Sequence, residues 1–170
     1  MEEIDSIQWQ SLIDKRFTVQ VIYPNHPAFK KMYDNYFKIY GLAFLFFKDM
    51  NIFIDGRELT KDGYGAAHIY AIEAHEIAHF ILEHHKTEAA TIAQEKAADV
   101  AAIEILAYLP HEEAKNLLIK RFISLYKCEP NINEHLSPEE KIMLISYLKE
   151  QDKDNSWFAR LKRFILKFKK

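Results

Sequence analysis

The chain has 170 residues, 49% of them apolar and 14% aromatic, which is enough for one well-buried core and short for two independent domains. Its net charge of -2 is unevenly spread: residues 156–170 carry six basic side chains (Arg160, Lys162, Arg163, Lys167, Lys169, Lys170) and no acid, so residues 1–155 hold 17 basic against 25 acidic residues, or -8. An acidic body argues against specific nucleic-acid binding, a single cysteine (Cys128) excludes an internal disulfide, and the longest apolar run, 40–47, is far too short to span a bilayer.

The start, Met1 to Asp5, is acidic and unlike a secretory leader, and the lone cysteine suits a reducing compartment, so a cytoplasmic location is expected. Residues 2–16 predict an amphipathic helix, with Ile4, Ile7, Leu12 and Ile13 spaced for burial and Trp9 near the edge of that stripe. Residues 17–23 alternate and are β-branched, predicting a strand that ends in the turn of Pro24, Asn25, His26 and Pro27. Residues 28–40 predict a helix weakened by its aromatics. Residues 42–48 and 51–54 predict two short strands, followed by a turn at Asp55, Gly56 and Arg57. In that small sheet Ile52, Phe53 and Ile54 are the candidate exposed edge, where an extended peptide could add as a further strand; a covered core strand is the equal alternative.

Gly63 and Gly65 mark a loop, after which Ala66, Ala67, Ala71, Ala74 and Ala78 favour a helix from Ala66 to His85, and no Gly or Pro interrupts residues 66–107. Within it lies His75, Glu76, Ile77, Ala78, His79. Two histidines four residues apart share one helical face and can reach one metal ion. Glu76 sits about 100° round the helix from His75, where a carboxylate can take a proton from an activated water without ligating the metal. Five of the eight histidines (His68, His75, His79, His84, His85) fall in this segment, so a merely histidine-rich surface helix is the plain alternative; His84 and His85 lie largely off the metal face and read as surface residues.

The next helical stretch, about Glu88 to Leu109, places Glu95 and Asp99 on one face with Ile92, Ala98, Ala102, Ile103, Leu106 and Leu109. Two carboxylates on an apolar stripe are costly unless something positive meets them. A turn near residues 86–88 would set His79 and Glu95 at similar height in an antiparallel pair. Glu95 then becomes the third ligand of a zinc ion that keeps an open position, and Asp99 accepts the outer ring N–H of a ligating histidine. Asp99 as the ligand in place of Glu95 is the less favoured variant.

The motif His75-Glu76-x-x-His79, followed by Glu95-x-x-Ala98-Asp99-x-x-Ala102 and then Leu109-Pro110, resembles the minimal gluzincin peptidases of the ImmA/IrrE type over roughly residues 51–110. The resemblance implies an α+β, zincin-like fold: a small twisted sheet packed on a metal-binding helix pair. It implies Zn2+ held by His75, His79 and Glu95, with Glu76 as catalytic base. It also implies a protein or peptide substrate inside the cell, of the regulatory kind such relatives cleave. Many members carry a DNA-binding helix-turn-helix or a sensory domain, and neither is recognised in this sequence. For the oxyanion, the weak candidates are Tyr64, His68 and His111.

Residues 1–110 thus read as the metallopeptidase core and 111–152 as a helical extension of the same domain. One helix is expected over 111–126, and another is opened by Ser137, Pro138, Glu139 and Glu140 as a capping box with Pro at the first position and runs to about Gln151. Residues 153–170 read as a basic amphipathic helix, with Trp157, Phe158, Leu161, Phe164, Ile165 and Phe168 on one side. It would either pack on the acidic body or attach to an anionic membrane face or a protein partner. The competing function is a catalytically silent, zinc-stabilised binding module acting through its edge strand or this tail; a base at Glu76 counts against it.

Overall fold

A computed structural model describes residues 5–61, 66–84, 91–107, 109, 112–124 and 135–151. The chain is α+β, with a mixed four-stranded sheet laid against helices. Strands β1 (Ser6–Gln10), β2 (Thr18–Ile22), β3 (Ala43–Phe46) and β4 (Asn51–Asp55) lie in the order β1-β2-β4-β3; β2 and β4 are parallel, and the two outer pairings are antiparallel. Period-two alternation decides the faces. Val19, Val21, Ile52, Ile54, Ala43 and Leu45 turn to one side and are buried, joining the core of the helices that follow. On the other face Phe44 stacks between Phe53 at 5.3 Å and Tyr36 at 4.8 Å. Its cover is a helical segment made of α1 (Phe29–Met32), a π-helical stretch (Tyr33–Phe37) and α2 (Lys38–Tyr40).

Two local expectations fail. Residues 6–10 form a strand, not part of a first helix, because the open side of β2 offers a full ladder from Ser6–Ile22 to Gln10–Thr18, which outweighs the local helical spacing. Leu12, counted toward the helical stripe, is 71% exposed. Ser11 ends the strand, its hydroxyl oxygen accepting the N–H groups of Ile13 and Asp14. At the end of β4 the expected turn is instead the start of helix α3 (Gly56–Lys61). Asp55 Oδ1 accepts the Arg57 N–H at 2.9 Å, as a capping carboxylate does, and the Arg57 guanidinium lies 4.2 Å from the Tyr33 ring centroid. The sheet order also overturns the edge assignment. Ile52, Phe53 and Ile54 belong to β4, which is paired on both sides; the edges are β1 and β3.

Helix α4 (Ala66–Ile81) and helix α5 (Ile92–Ala107) form the centre of the fold. Thr91 and Gln94 open α5 with a reciprocal cap, each side chain accepting the other's backbone N–H. Helix α6 (Glu112–Ser124) packs on α4 and α5, and α7 (Pro138–Gln151) on α5 and α6. At the start of α7 the expected box is present: Ser137 Oγ accepts the Glu140 N–H at 3.2 Å, and Glu140 accepts the Ser137 N–H at 2.7 Å. Residues 153–170, expected to form the basic amphipathic helix, lie outside the described residues. Among the described residues no helix is long and apolar enough to cross a membrane.

Helices α4 and α5 bury many small residues: Ala71, Ala74, Ala78, Ala98, Ala101 and Ala102 are all within 4% of complete burial and belong to one core cluster. On its other side α4 is tied to the first strand through Glu73, fully buried, which accepts from Trp9 Nε1 at 3.1 Å and from the Ser11 hydroxyl at 2.7 Å. Burial pushes the Glu73 carboxyl up to about 6 against the pull of those two hydrogen bonds.

Two stability outcomes follow from these environments. A Cβ on Gly56 would lie 2.5 Å from the Tyr23 ring and 2.9 Å from the Ile22 carbonyl oxygen, so Gly56→Ala should lower the unfolding free energy by about 1–3 kcal/mol in denaturant titration. Burial pushes the Glu104 carboxyl up to about 7 from its ordinary 4.5. The folded chain therefore binds more protons across that window, and its stability falls as pH rises from about 4.5 through 7. Glu104→Gln should flatten this slope and raise stability at pH 8 by about 1–3 kcal/mol; an unchanged slope in chemical denaturation would contradict it.

Candidate metal centre

His75 and His79 project from one face of α4 toward Glu95 on the first turn of α5. The later turns of α5 meet the earlier turns of α4, since Glu95 reaches both histidines while Asp99 reaches His75, so the two helices run antiparallel as expected. His75 Nε2 is 3.0 Å from His79 Nε2 and 3.1 Å from Glu95 Oε2, and His79 Nε2 is 3.3 Å from the same oxygen. Three donor atoms of zinc type thus form a nearly equilateral triangle. Tetrahedral bonds of about 2.0–2.1 Å would put ligand atoms about 3.3 Å apart, so the triangle has the size of one tetrahedral face.

The outer ring nitrogens explain why these atoms are the donors. His75 Nδ1 is 3.0 Å from Asp99 Oδ1, whose charge favours a proton on that nitrogen. His79 Nδ1 is 2.9 Å from His84 Nδ1, and either ring can donate to the other. Two imidazole nitrogens and a carboxylate oxygen face one another at about 3 Å, an arrangement that a shared proton or a metal cation holds together. The electrostatics agree. Burial opposes charge on His75, but Asp99 and Glu95 together push its pKa up to about 10. Burial likewise raises Glu95, yet the two histidines hold it well below the ordinary carboxylate range. The cluster attracts positive charge, and a divalent ion fits its donor set and spacing.

Glu76, half-buried beside His75, is raised above the ordinary glutamate value by burial, with the His79 and His75 charges pulling it back. A carboxyl with a raised pKa is a stronger base than an exposed glutamate, as a proton acceptor beside a metal site requires. Asp99 is fully buried. Burial would raise its pKa, but His135 and His75 hold it well below the usual range.

Sequence reasoning missed three residues here. His84 was expected at the surface. Glu83 adopts a left-handed conformation (φ 59°) just past α4, and the reversal brings His84 back onto His79. His135 and Lys141, more than thirty residues beyond Asp99, both approach its carboxylate: His135 Nδ1 is 3.4 Å from Oδ1 and Lys141 Nζ is 3.7 Å from Oδ2. For His135 and Lys141 only the buried acid hinted that a distant cation was needed. Of the oxyanion candidates, Tyr64 and His111 lie outside the described residues, as does His85. His68 is buried in the first turn of α4, outside both His–carboxylate clusters, and its pKa is lowered by burial and by the charge of Arg121.

No protein-family model, no curated protein and no solved structure matches this chain. Elemental analysis after dialysis against a weak chelator is expected to find about one zinc per wild-type chain. Glu95→Ala should lose it, and full retention of zinc in that variant would remove Glu95 from the ligand set.

Proposed function

We propose that this chain is a zinc-dependent endopeptidase of the minimal gluzincin, ImmA/IrrE-like kind, with a zincin-like arrangement of sheet and metal helices. It would act in the cytoplasm on a protein substrate. The observation that carries the reading is the triangle of His75 Nε2, His79 Nε2 and Glu95 Oε2 at tetrahedral spacing, with Glu76 one residue from the first ligand. When bound, zinc supplies Lewis acidity to the scissile carbonyl and makes an adjacent water acidic. The chain's own residues do the rest. Asp99 orients His75, His84 holds the outer nitrogen of His79, and Glu95 completes a set that leaves one position open. Glu76 takes a proton from the attacking water as the new C–O bond forms and returns it to the amide nitrogen as the C–N bond breaks.

An extended substrate needs a sheet edge near this centre. Of the two edges among the described residues, β3 packs more extensively against α4, so it is the better candidate for the strand-adding role first given to Ile52, Phe53 and Ile54.

Glu76→Gln tests the reading. It should keep stoichiometric zinc while kcat/KM on a cleavable peptide falls by about 10²–10⁴-fold. Cleavage at the wild-type rate in this variant would remove Glu76 as the base, whereas a zinc-loaded wild type inert toward a broad peptide library would favour the binding module.

A further inference from the structure

Asp99 is completely buried, and among the described residues one of its polar contacts, the one to His75, belongs to the α4–α5 pair. The others come from one short stretch of chain at the start of α7. Leu136 donates its N–H to Oδ2 at 2.8 Å, Lys141 Nζ is 3.7 Å from the same oxygen, and His135 Nδ1 is 3.4 Å from Oδ1. The two carboxylate oxygens thus divide their work: Oδ1 lies between the rings of His75 and His135, whose centroids are 5.3 Å apart, and Oδ2 faces the first turn of α7. That turn presents the positive end of a fourteen-residue helix, held by the Ser137–Glu140 cap and the Lys141 N–H to Ser137 carbonyl bond.

Lys141 is 1% exposed. An ammonium is expensive to bury, and the loss is not recovered as stability by a 3.7 Å ion pair, since an apolar pair of the same size packs at least as well. A lysine kept buried at such cost points to a task other than holding the helices together. The geometry offers one: its Nζ lies 3.7 Å from Asp99 Oδ2, where it fixes the rotation of the carboxylate that meets His75.

We infer that the start of α7 is a working part of the metal centre, and that Lys141 and His135 are positioning residues which act through Asp99 on His75 and so set the zinc affinity. The inference rests on the metal-centre reading above. It makes zinc affinity depend on how α7 is docked, although α7 provides no ligand.

The test is zinc competition with a chromophoric chelator on the full chain, with helix content followed by circular dichroism. Lys141→Met and His135→Phe are each measured alone and in an Asp99→Ala background. Each single change is expected to weaken zinc binding about tenfold or more at unchanged helix content, and to add nothing once Asp99 is gone. Unchanged affinity in the folded single variants, or an equal loss with Asp99 already removed, would overturn the inference. If Lys141→Met loses helix content, His135→Phe decides by the same two criteria. A wild type that takes up no zinc would instead overturn the metal centre itself, whereas a zinc-binding wild type with indifferent variants overturns only the role of α7.

Discussion

The close approach of α4 to α5 is the constraint on which the rest of the structure depends. Three donor atoms converge to within 3.0–3.3 Å because α4 and α5 pack directly on each other, with small buried alanines on both helices leaving room for the longer His and Glu side chains. The same closeness makes the cluster an electrostatic problem. Two ring nitrogens and a carboxylate oxygen pressed together favour a cation among them, and the nearby Asp99 and Glu95 carboxylates push the pKa of His75 up against its burial. A cluster that favours positive charge and has the dimensions of a tetrahedral face suits a divalent metal ion.

Helix α4 is pinned by buried acids on two sides, and each pin reaches a different part of the chain. Glu73 binds Trp9 and Ser11 of the first strand and its turn; Asp99, across on α5, binds the start of α7. Neither arrangement is an economical way to gain stability, since desolvating a carboxylate offsets much of what its hydrogen bonds contribute. Both fix orientation. The sheet end and the helical end of the molecule are thereby referred to the same helix that carries His75, Glu76 and His79, so the metal face is held at a fixed angle to the β3 edge.

The parts of this arrangement legible in the sequence were those encoded locally. The His75–Glu76–His79 spacing, the Glu95–Asp99 pair, β2 from its alternation and the cap at Ser137 each depend on contacts within a turn or two, and the structure keeps all of them. The distance from His79 to Glu95 was readable because a short connection forces neighbouring helices to run antiparallel. The first strand was not readable: residues 6–10 carry a helix-like spacing, and only the presence of β2 beside them makes extension the better solution.

By itself, then, the sequence determined the chemical types and their local spacing: two imidazoles, a neighbouring carboxylate, and two further acids four residues apart on the next helix. Tertiary structure decided which distant groups complete the site. His84 reaches His79 only through a left-handed residue, and His135 and Lys141 reach Asp99 across a sequence gap of at least 36 residues. Tertiary structure also made β4 an interior strand and left β3 as the edge beside α4. The physical reason is the range of the interactions. Helical periodicity and capping act over three or four residues, whereas strand order and the neutralisation of a buried charge are settled by whichever remote groups the collapsed chain brings within a few ångströms.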